Sequence, residues 1–196
     1  VQDPGLSGVT FDGVSQALPL KRISAAALGA PVAVTNTRET PINITLTRSG
    51  VPDVPAEEGG YGYRISREYF TPEGTPVDDI GTVAQSTRLV VVLTVTPFEK
   101  GGARLMINDP LPAGFEIEAV LRPEDAGRTG AYGFLGDLTV PDIAEARDDR
   151  FVASFNLYDQ ERKTVAYIVR AVTPGSFTMP GTFVEDMYRP ELRIVG

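Results

Sequence analysis

The sequence predicts an all-β protein, an antiparallel β-sandwich preceded by a smaller β-rich partial domain. Short runs rich in β-branched residues recur along the 196 residues, and 16 prolines and 20 glycines punctuate them. Brief strands separated by frequent turns are typical of antiparallel sandwiches. In addition, 42% of the residues are hydrophobic, which supplies enough apolar material for a core.

The amino-terminal part contains three strand candidates. Apolar and polar residues alternate in Ile42–Thr47, so one face of this strand would pack while the other meets water. Val9–Phe11 and Val32–Thr35 are the other two, and Ser24–Leu28 fits a short helical turn. We therefore expect this part to be β-rich.

A change in composition predicts the domain boundary. Residues 49–60 read SGVPDVPAEEGG, with two prolines, three glycines, three acids and no periodicity. Such a stretch is typical of a linker. We therefore divide the chain near Gly59 into a β-rich segment, residues 1–58, and a sandwich, residues 59–196. Because the chain begins with Val rather than Met, we expect it to be part of a longer protein.

Eight strands are predicted after this linker. The strand around residues 89–93 is apolar without interruption, so it should be central in a sheet and covered on both faces. The strands on either side of Asp159–Lys163 should form a hairpin. Residues 122–137 should form a long connection that leaves the sheet, and Val140–Ala146 should form a short helix. The predicted strands are Tyr61–Phe70, Arg88–Thr96, Arg104–Asn108, Phe115–Leu121, Phe151–Leu157, Val165–Val172, Phe177–Pro180 and Leu192–Val195.

Composition also limits the function. The chain has no Cys and no His, which excludes disulfides, thiolate chemistry and soft metal sites within these residues and removes the usual nucleophilic triads. The net charge of −8 comes without a basic stripe, so nucleic acid is not an expected partner. No apolar run reaches the roughly 20 residues of a membrane span. We therefore predict no catalytic residue, metal or cofactor, and no membrane insertion by this part of the chain.

Three acidic pairs admit a metal or acid–base interpretation. None lies in the loop pattern that calcium requires, and the alternative is that they are solvated turn residues. A carboxylate pair for glycoside cleavage can come from any part of a fold, so the sequence leaves that possibility open. The pairs are Asp78–Asp79, Asp148–Asp149 and Glu185–Asp186.

Aromatic residues cluster near the start of the sandwich. Tyr61, Tyr63, Tyr69 and Phe70 are candidates for the lining of a ligand groove. Tyr61 and Tyr63 share a face at period two, so packing in a core or along an edge explains them as well.

The segment Asp109–Glu116 predicts a corner that ends one strand and starts the next. Its two prolines fix φ and supply no donor, and Gly114 can turn the chain left-handed.

Met187 and Tyr188 are the strongest candidates for a functional site. These two large apolar side chains occur late in the chain among charged residues and outside any clean alternation. They fit either ordinary packing on a β-edge or a projecting lip that covers a neighbouring surface.

The order and spacing of several motifs resemble the C-terminal macroglobulin-like domain of bacterial alpha-2-macroglobulins. That domain has an immunoglobulin-type sandwich, and residues 1–58 more weakly resemble the second half of the CUB-like domain that precedes it. The motifs are Tyr63–Phe70, Arg88–Thr96, Asp109–Phe115, Glu145–Phe151 and Val184–Arg193.

The resemblance implies a non-catalytic part of a protease-trapping inhibitor, periplasmic and anchored to the inner membrane through the parent's amino-terminal lipid. In that family a thioester built from Cys and Gln side chains captures the protease after a bait region is cut. The terminal domain lies against the thioester domain, which is thus the expected partner, and Met187 and Tyr188 match residues that shield the thioester. Because no Cys is present, the thioester itself must lie outside these residues.

Two other functions remain open from the residues alone. One is a ligand-binding or adhesion β-module of a bacterial surface protein. The other is an accessory domain of a carbohydrate-active enzyme, which the absence of Trp disfavours.

Overall fold

The computed structural model describes residues 8–15, 20–27, 29–47, 57–99, 101–127 and 129–196. Contacts within the chain divide it into two units, Val1–Val51 and Pro52–Gly196. Most of the predicted linker, residues 49–60, lies outside the described residues.

The first unit contains a small antiparallel sheet in its described residues. Asp12 and Gly13 both have positive φ, 51° and 77°, and join the first two strands in a tight turn. Asp-Gly favours such turns because both positions need a left-handed backbone. The predicted helical turn is present as a 3-10 turn at Ala25–Ala27. The strand order is β2-β1-β3, with β1 at Val9–Phe11, β2 at Val14–Ser15 and β3 at Val34–Asn36.

The predicted strand Ile42–Thr47 is wrong, because these residues have no regular secondary structure. Ile44 and Leu46 are instead exposed and line an open apolar groove of about 620 Å³ together with Phe11 and Val34. An alternating strand is stabilised only when its apolar face packs on a second layer. The described residues of the first unit provide no such layer.

The second unit is an antiparallel β-sandwich, which confirms the predicted fold class. Its first sheet has the order β4-β13-β12-β7-β10-β9, and its second has the order β5-β6-β11-β8. The strands are β4 (Gly59–Gly60), β5 (Tyr63–Phe70), β6 (Arg88–Pro97), β7 (Ala103–Pro110), β8 (Phe115–Leu121), β9 (Ile143–Ala146), β10 (Arg150–Leu157), β11 (Lys163–Ala171), β12 (Phe183–Asp186) and β13 (Arg189–Val195).

The core lies between the two sheets. Alternate residues of β6 and β11 meet alternate residues of β7 and β10, as the two-residue period of a strand requires. Phe151 and Tyr167, from opposite sheets, stack with their ring centroids 4.7 Å apart. The rings therefore fill the middle of the sandwich.

Strand β6 is covered on both faces, as its uninterrupted apolar run predicts. Val90 and Val92 point away from the sandwich core into a second apolar cluster with Leu121 and Leu138. The connection that follows β8 covers this face. It contains the short helix α1 (Pro123–Ala126) and a 3-10 turn at Gly133–Leu135.

The predicted hairpin across Asp159–Lys163 is wrong. Strand β10 pairs with β7 and β9, whereas β11 pairs with β6 and β8, so the connection passes from one sheet to the other. A link of this length can close a hairpin or span the about 10 Å between stacked sheets. Strand spacing alone therefore does not decide between them.

Two other elements differ from the prediction. Val140–Ala146 is not a helix, because Ile143–Ala146 forms the edge strand β9 along β10. All four residues of β9 are exposed, so backbone pairing and not apolar spacing defines this strand. Residues 177–180 have no strand, and β12 follows them at Phe183–Asp186.

Among the described residues, no helix has the length and apolar character needed to cross a bilayer.

Candidate functional site

Met187 and Tyr188 lie side by side at the tip of the hairpin formed by β12 and β13. They are the two residues between Asp186 and Arg189, which pair across the hairpin. The Tyr188 side chain is 81% exposed and that of Met187 is 44% exposed. The tip therefore offers two large side chains to solvent, and neither is part of the core of its own sandwich.

Asp186 anchors this tip from inside. Its carboxylate is only 1% exposed, and its Oδ1 accepts a hydrogen bond of 2.9 Å from the backbone N–H of Tyr188. Its Oδ2 accepts a hydrogen bond of 2.6 Å from Nε of Arg189. Hydrogen bonds to a buried charge are stronger than neutral ones and leave few alternative geometries. The turn is therefore held in one conformation.

Further contacts attach the hairpin to the start of β7 and to the connection that precedes it. The backbone N–H of Met187 donates to the carbonyl of Arg104 at 2.8 Å, and Nη2 of Arg189 donates to the carbonyl of Gly102 at 2.9 Å. Below the tip, burial raises the pKa of Tyr63, with Asp186 adding to the effect and Arg189 opposing it. The Asp186–Arg189 pair at the base of the tip thus lies near the buried ring of Tyr63.

A second polar cluster lies inside the sandwich at the start of β12. Asp109 is 0% exposed, and its carboxylate accepts hydrogen bonds from Nη1 of Arg67 at 2.8 Å, the hydroxyl of Tyr167 at 2.5 Å and the hydroxyl of Thr182 at 2.8 Å. Arg67 and Tyr167 belong to the sheet that faces Asp109. The cluster therefore links the two sheets and the residue just before β12.

The same cluster fixes the irregular segment that leads into β12. Nη2 of Arg67 donates to the carbonyl of Pro180 at 2.7 Å, and the hydroxyl of Tyr69 contacts the sulfur of Met179 at 3.6 Å. Thr182 and Gly196 exchange two backbone hydrogen bonds. Hydrogen bonds of Thr182 thus hold the start of β12, and Asp186 holds its end at the hairpin tip.

Burial controls the titration of the tyrosines in this cluster. It raises the pKa of Tyr69 to about 12, while the nearby guanidinium of Arg67 acts in the opposite direction. Burial is also the main reason that the pKa of Tyr167 lies well above its usual value, and the Asp109 carboxylate adds to it. Both phenols are therefore held as neutral hydrogen-bond donors.

The raised pKa of Tyr69 predicts a loss of stability in alkali. Above about pH 10 the unfolded chain releases the Tyr69 proton while the folded chain keeps it, so the free energy of unfolding should fall until about pH 12. A shift of this size corresponds to about 3 kcal/mol for this group. Urea unfolding followed by circular dichroism at a series of alkaline pH values measures it.

The variant Tyr69→Phe is the comparison for this prediction. It should show a smaller loss of stability across that pH interval, because it has no phenol to ionise. A pH dependence identical to that of the wild type would contradict the assignment.

The aromatic candidates do not line one groove. Tyr63 is buried in the sandwich core, and Tyr69 packs against the same core. Phe70 packs on the other face, where its ring lies 5.5 Å from that of Phe134. Only Tyr61 of the four is exposed, and its hydroxyl donates to Oε1 of Glu99 at 2.9 Å. The packing interpretation is therefore the correct one for three of them.

One member of each acidic pair has a local structural contact. Oδ1 of Asp79 accepts a hydrogen bond from the N–H of Gly81 at 2.7 Å, and Asp149 forms a two-pronged ion pair with Arg150. The interpretation of Asp186 as a solvated turn residue is wrong, because its carboxylate is buried and paired. Within the described residues, no group of three or more acidic side chains is arranged to hold a metal ion.

The corner at Asp109–Glu116 is present, but Gly114 does not turn the chain left-handed. A Cβ at Gly114 would lie 2.6 Å from the ring of Phe177. A larger residue at position 114 would therefore have to displace this ring, and the φ of Gly114 places no such demand on the residue.

Sequence reasoning singled out Met187 and Tyr188 as candidates but missed the polar residues that hold the tip. A signal was available for the anchor, because an acid and a base placed three residues apart, as Asp186 and Arg189 are, commonly flank a tight turn and pair across it. No comparable local signal marks Asp109, whose partners are distant in sequence.

A profile of the family described as the bacterial alpha-2-macroglobulin MG10 domain matches residues 62–191. The alpha-2-macroglobulin of Xylella fastidiosa (strain Temecula1 / ATCC 700964) is 32% identical over 189 residues, which cover 90% of this chain and 11% of that protein. The chain therefore spans about a tenth of the length of this relative.

Solved structures of such proteins are also similar. Salmonella alpha-2-macroglobulin reacted with methylamine matches 96% of this chain and 12% of its own, with a TM-score of 0.72 and 27% identity. Escherichia coli alpha-2-macroglobulin activated by porcine elastase matches 75% of this chain and 13% of its own, with a TM-score of 0.62 and 28% identity.

Proposed function

We propose, because this chain belongs to the bacterial alpha-2-macroglobulin family, that it is the shielding part of a protease-trapping inhibitor. In this proposal Met187 and Tyr188 cover a thioester carried by another domain of the same parent polypeptide. The chain is a non-catalytic structural element, and the parent traps the protease.

The observation that carries this proposal is the exposed and anchored hairpin tip. A thioester survives in water only where water and amines are kept away from its carbonyl carbon. Tyr and Met side chains suit such a cover, because they are large and apolar, and Met adapts its shape to a neighbouring surface. The buried Asp186 holds the tip without using either side chain, so both remain available for a partner.

Two relatives support the proposed chemistry. The Salmonella protein reacts with methylamine, and amines open thioesters. The Escherichia coli protein is activated by elastase, as a trap that responds to proteolysis requires. Since residues 1–196 contain no Cys, the thioester of this parent would lie elsewhere in its polypeptide.

We also propose that residues 1–58 are the returning half of a CUB-like domain and that the sandwich begins at Gly59. The pairing of Gly59–Gly60 with β13 supports this boundary. The open apolar groove beside Phe11, Ile44 and Leu46 is the surface that the other half of that domain would cover. A periplasmic location with a lipid anchor on the parent is part of the same proposal.

Exposure of the intact parent protein to elastase or trypsin tests the proposed function. We expect a covalent protease–inhibitor product that persists on a denaturing gel, and we expect prior treatment with methylamine to abolish it. A parent that is cut but forms no covalent product, with or without methylamine, would contradict the trapping mechanism.

A further inference from the structure

The apolar side chains of β12 do not by themselves define its alignment on β7. This strand has four residues, and Val184 is the only apolar side chain that it places in the sandwich core. Its core-facing neighbours Thr182 and Asp186 are polar and only 0% and 1% exposed. A one-residue slip would turn Val184 out of the core, whereas a two-residue slip would keep it on the same face. The apolar pattern therefore fixes the face of β12 but not its position along β7.

A shift of β12 by two residues would satisfy most of its side chains. In the observed register Val184 lies opposite Ile107. After the shift Val184 would lie opposite Leu105, which is equally buried. The same shift would bring Glu185 opposite Arg104, and opposite charges across a strand pair attract. These residues thus permit two alignments that differ by about 7 Å along the strand.

The hydrogen bond between Thr182 and Asp109 is compatible only with the observed alignment. The register of β12 on β7 continues to Thr182 opposite Asp109, and the Thr182 hydroxyl donates to Oδ1 of Asp109 at 2.8 Å. Asp109 is a fixed reference, because Arg67 and Tyr167 of the opposite sheet hold the same carboxylate. In the shifted alignment Pro180 would come opposite Asp109, and a proline side chain has no donor. The buried carboxylate would then lose the donor that Thr182 supplies.

The contacts that anchor the hairpin tip do not select between the two alignments. Asp186 bonds to Tyr188 and Arg189, which belong to the same hairpin and would move with it. Met187 and Arg189 bond to backbone carbonyls, which recur at every residue. The outer partner of β13 is Gly59–Gly60, which has no side chains. A side-chain contact outside the hairpin is therefore needed to define its position.

We propose that the buried bond between Thr182 and Asp109 sets the register of β12, and with it the place of Met187 and Tyr188 on the sandwich. Thr182 is the positioning residue, and Asp109 is its reference point. A single buried polar residue fixes the register of a coiled coil in a comparable way, at a cost in stability. This inference concerns where the tip lies and does not depend on what the tip covers.

Pairs of engineered cysteines in the 196-residue chain test this inference, because the chain has no Cys of its own. Met106→Cys with Glu185→Cys joins residues that lie opposite each other in the observed register, and we call it the native reporter. Met106→Cys with Phe183→Cys is the shifted reporter. These two residues are diagonal neighbours about 7–8 Å apart in the observed register, too far for an unstrained disulfide, and come opposite each other only after the shift. Mass spectrometry after equilibration in a glutathione buffer measures the disulfide-bonded fraction of each reporter.

In the wild-type background we expect the native reporter to close and the shifted reporter to stay open. Thr182→Val removes the hydroxyl at nearly constant volume. It should raise the ratio of shifted to native disulfide by about tenfold or more, the factor that corresponds to one hydrogen bond to a charged group. Thr182→Ser keeps a hydroxyl and should behave like the wild type.

Tyr167→Phe is the matched control, because it removes another donor from the same carboxylate without a change in β12. Its urea midpoint should fall as that of Thr182→Val does, while its reporter ratio stays at the wild-type value. An unchanged ratio in Thr182→Val, or an equal rise in Tyr167→Phe, would overturn the positioning role of Thr182. If Thr182→Val does not fold, Thr182→Ala gives the same test, because it removes the hydroxyl without placing a methyl group beside the carboxylate.

Discussion

Replacement of Asp109 by Ala should lower the free energy of unfolding by about 3–5 kcal/mol, the range found when one partner of a buried ion pair is removed. Arg67 would keep its charge inside the sandwich with no carboxylate beside it, since its side chain is only 13% exposed. The hydroxyls of Tyr167 and Thr182 would each lose an acceptor. Unpaired buried donors are expensive because they have also given up their hydration.

Urea unfolding of the 196-residue chain measures this effect. Far-UV circular dichroism and tyrosine fluorescence are suitable probes, because the chain has no Trp. The variant Asp109→Asn should lose less stability, since its amide oxygen can still accept from the Thr182 hydroxyl at the Oδ1 position while its NH2 group, at the Oδ2 position, can donate to the Tyr167 oxygen. Asp149→Ala is the matched control, because it removes a carboxylate whose partner Arg150 is in contact with solvent.

The control variant should leave the urea midpoint close to that of the wild type, as is usual for exposed pairs. If Asp109→Ala were as stable as this control, the buried cluster would not be a source of stability. Water would then have to hydrate the Arg67 guanidinium in the folded variant without a loss of stability.

This cluster also shows where sequence reasoning stops. Asp109 was recognised only as part of a proline-rich corner, and nothing near it in sequence indicates burial. Its three partners are 42, 58 and 73 residues away. Only the packing of two sheets brings them together, so a local pattern cannot reveal the site.

Strands with a strong local pattern were predicted well. The bounds of β8 agree with the predicted Phe115–Leu121, and the apolar run of β6 correctly indicated a central strand covered on both faces. The pairing of strands was harder to predict, because it depends on which neighbouring strand buries more apolar surface. The connection between β10 and β11 therefore looked like a hairpin although the two strands belong to different sheets.

Part of the candidate site could be predicted from the sequence, because a local pattern marks it. Large apolar residues among charges, outside any strand period, drew attention to Met187 and Tyr188. Their position at a hairpin tip follows from the pairing of β12 with β13, which the sequence did not predict. Their role as a cover remains a prediction.

Replacement of Met187 or Tyr188 by Ala in the parent should accelerate the loss of thioester reactivity in buffer. Truncation of a hot-spot residue in an interface weakens docking by about 2 kcal/mol or more, which corresponds to about a 30-fold larger open population. If water attacks only the open state, the rate of decay should rise by a similar factor. Incorporation of labelled methylamine after timed incubation without protease measures the surviving thioester.

Two further variants test the physical basis of this prediction. Asp186→Ala keeps both apolar side chains but removes the acceptor of the Tyr188 N–H and of Arg189, so it should also accelerate the decay. Arg147→Ala is the control, because this exposed residue lies at the other end of the sandwich, between β9 and β10. It should decay like the wild type.

The pattern across these variants distinguishes a cover from a simple structural effect. A cover requires faster decay in Tyr188→Ala with an unchanged urea midpoint, since Tyr188 is exposed and contributes little to the core. Faster decay accompanied by a matching loss of stability would indicate general unfolding. If Tyr188→Ala decayed at the wild-type rate, Tyr188 would not be part of the shielding surface, because loss of a ring that covers the thioester must let water reach it.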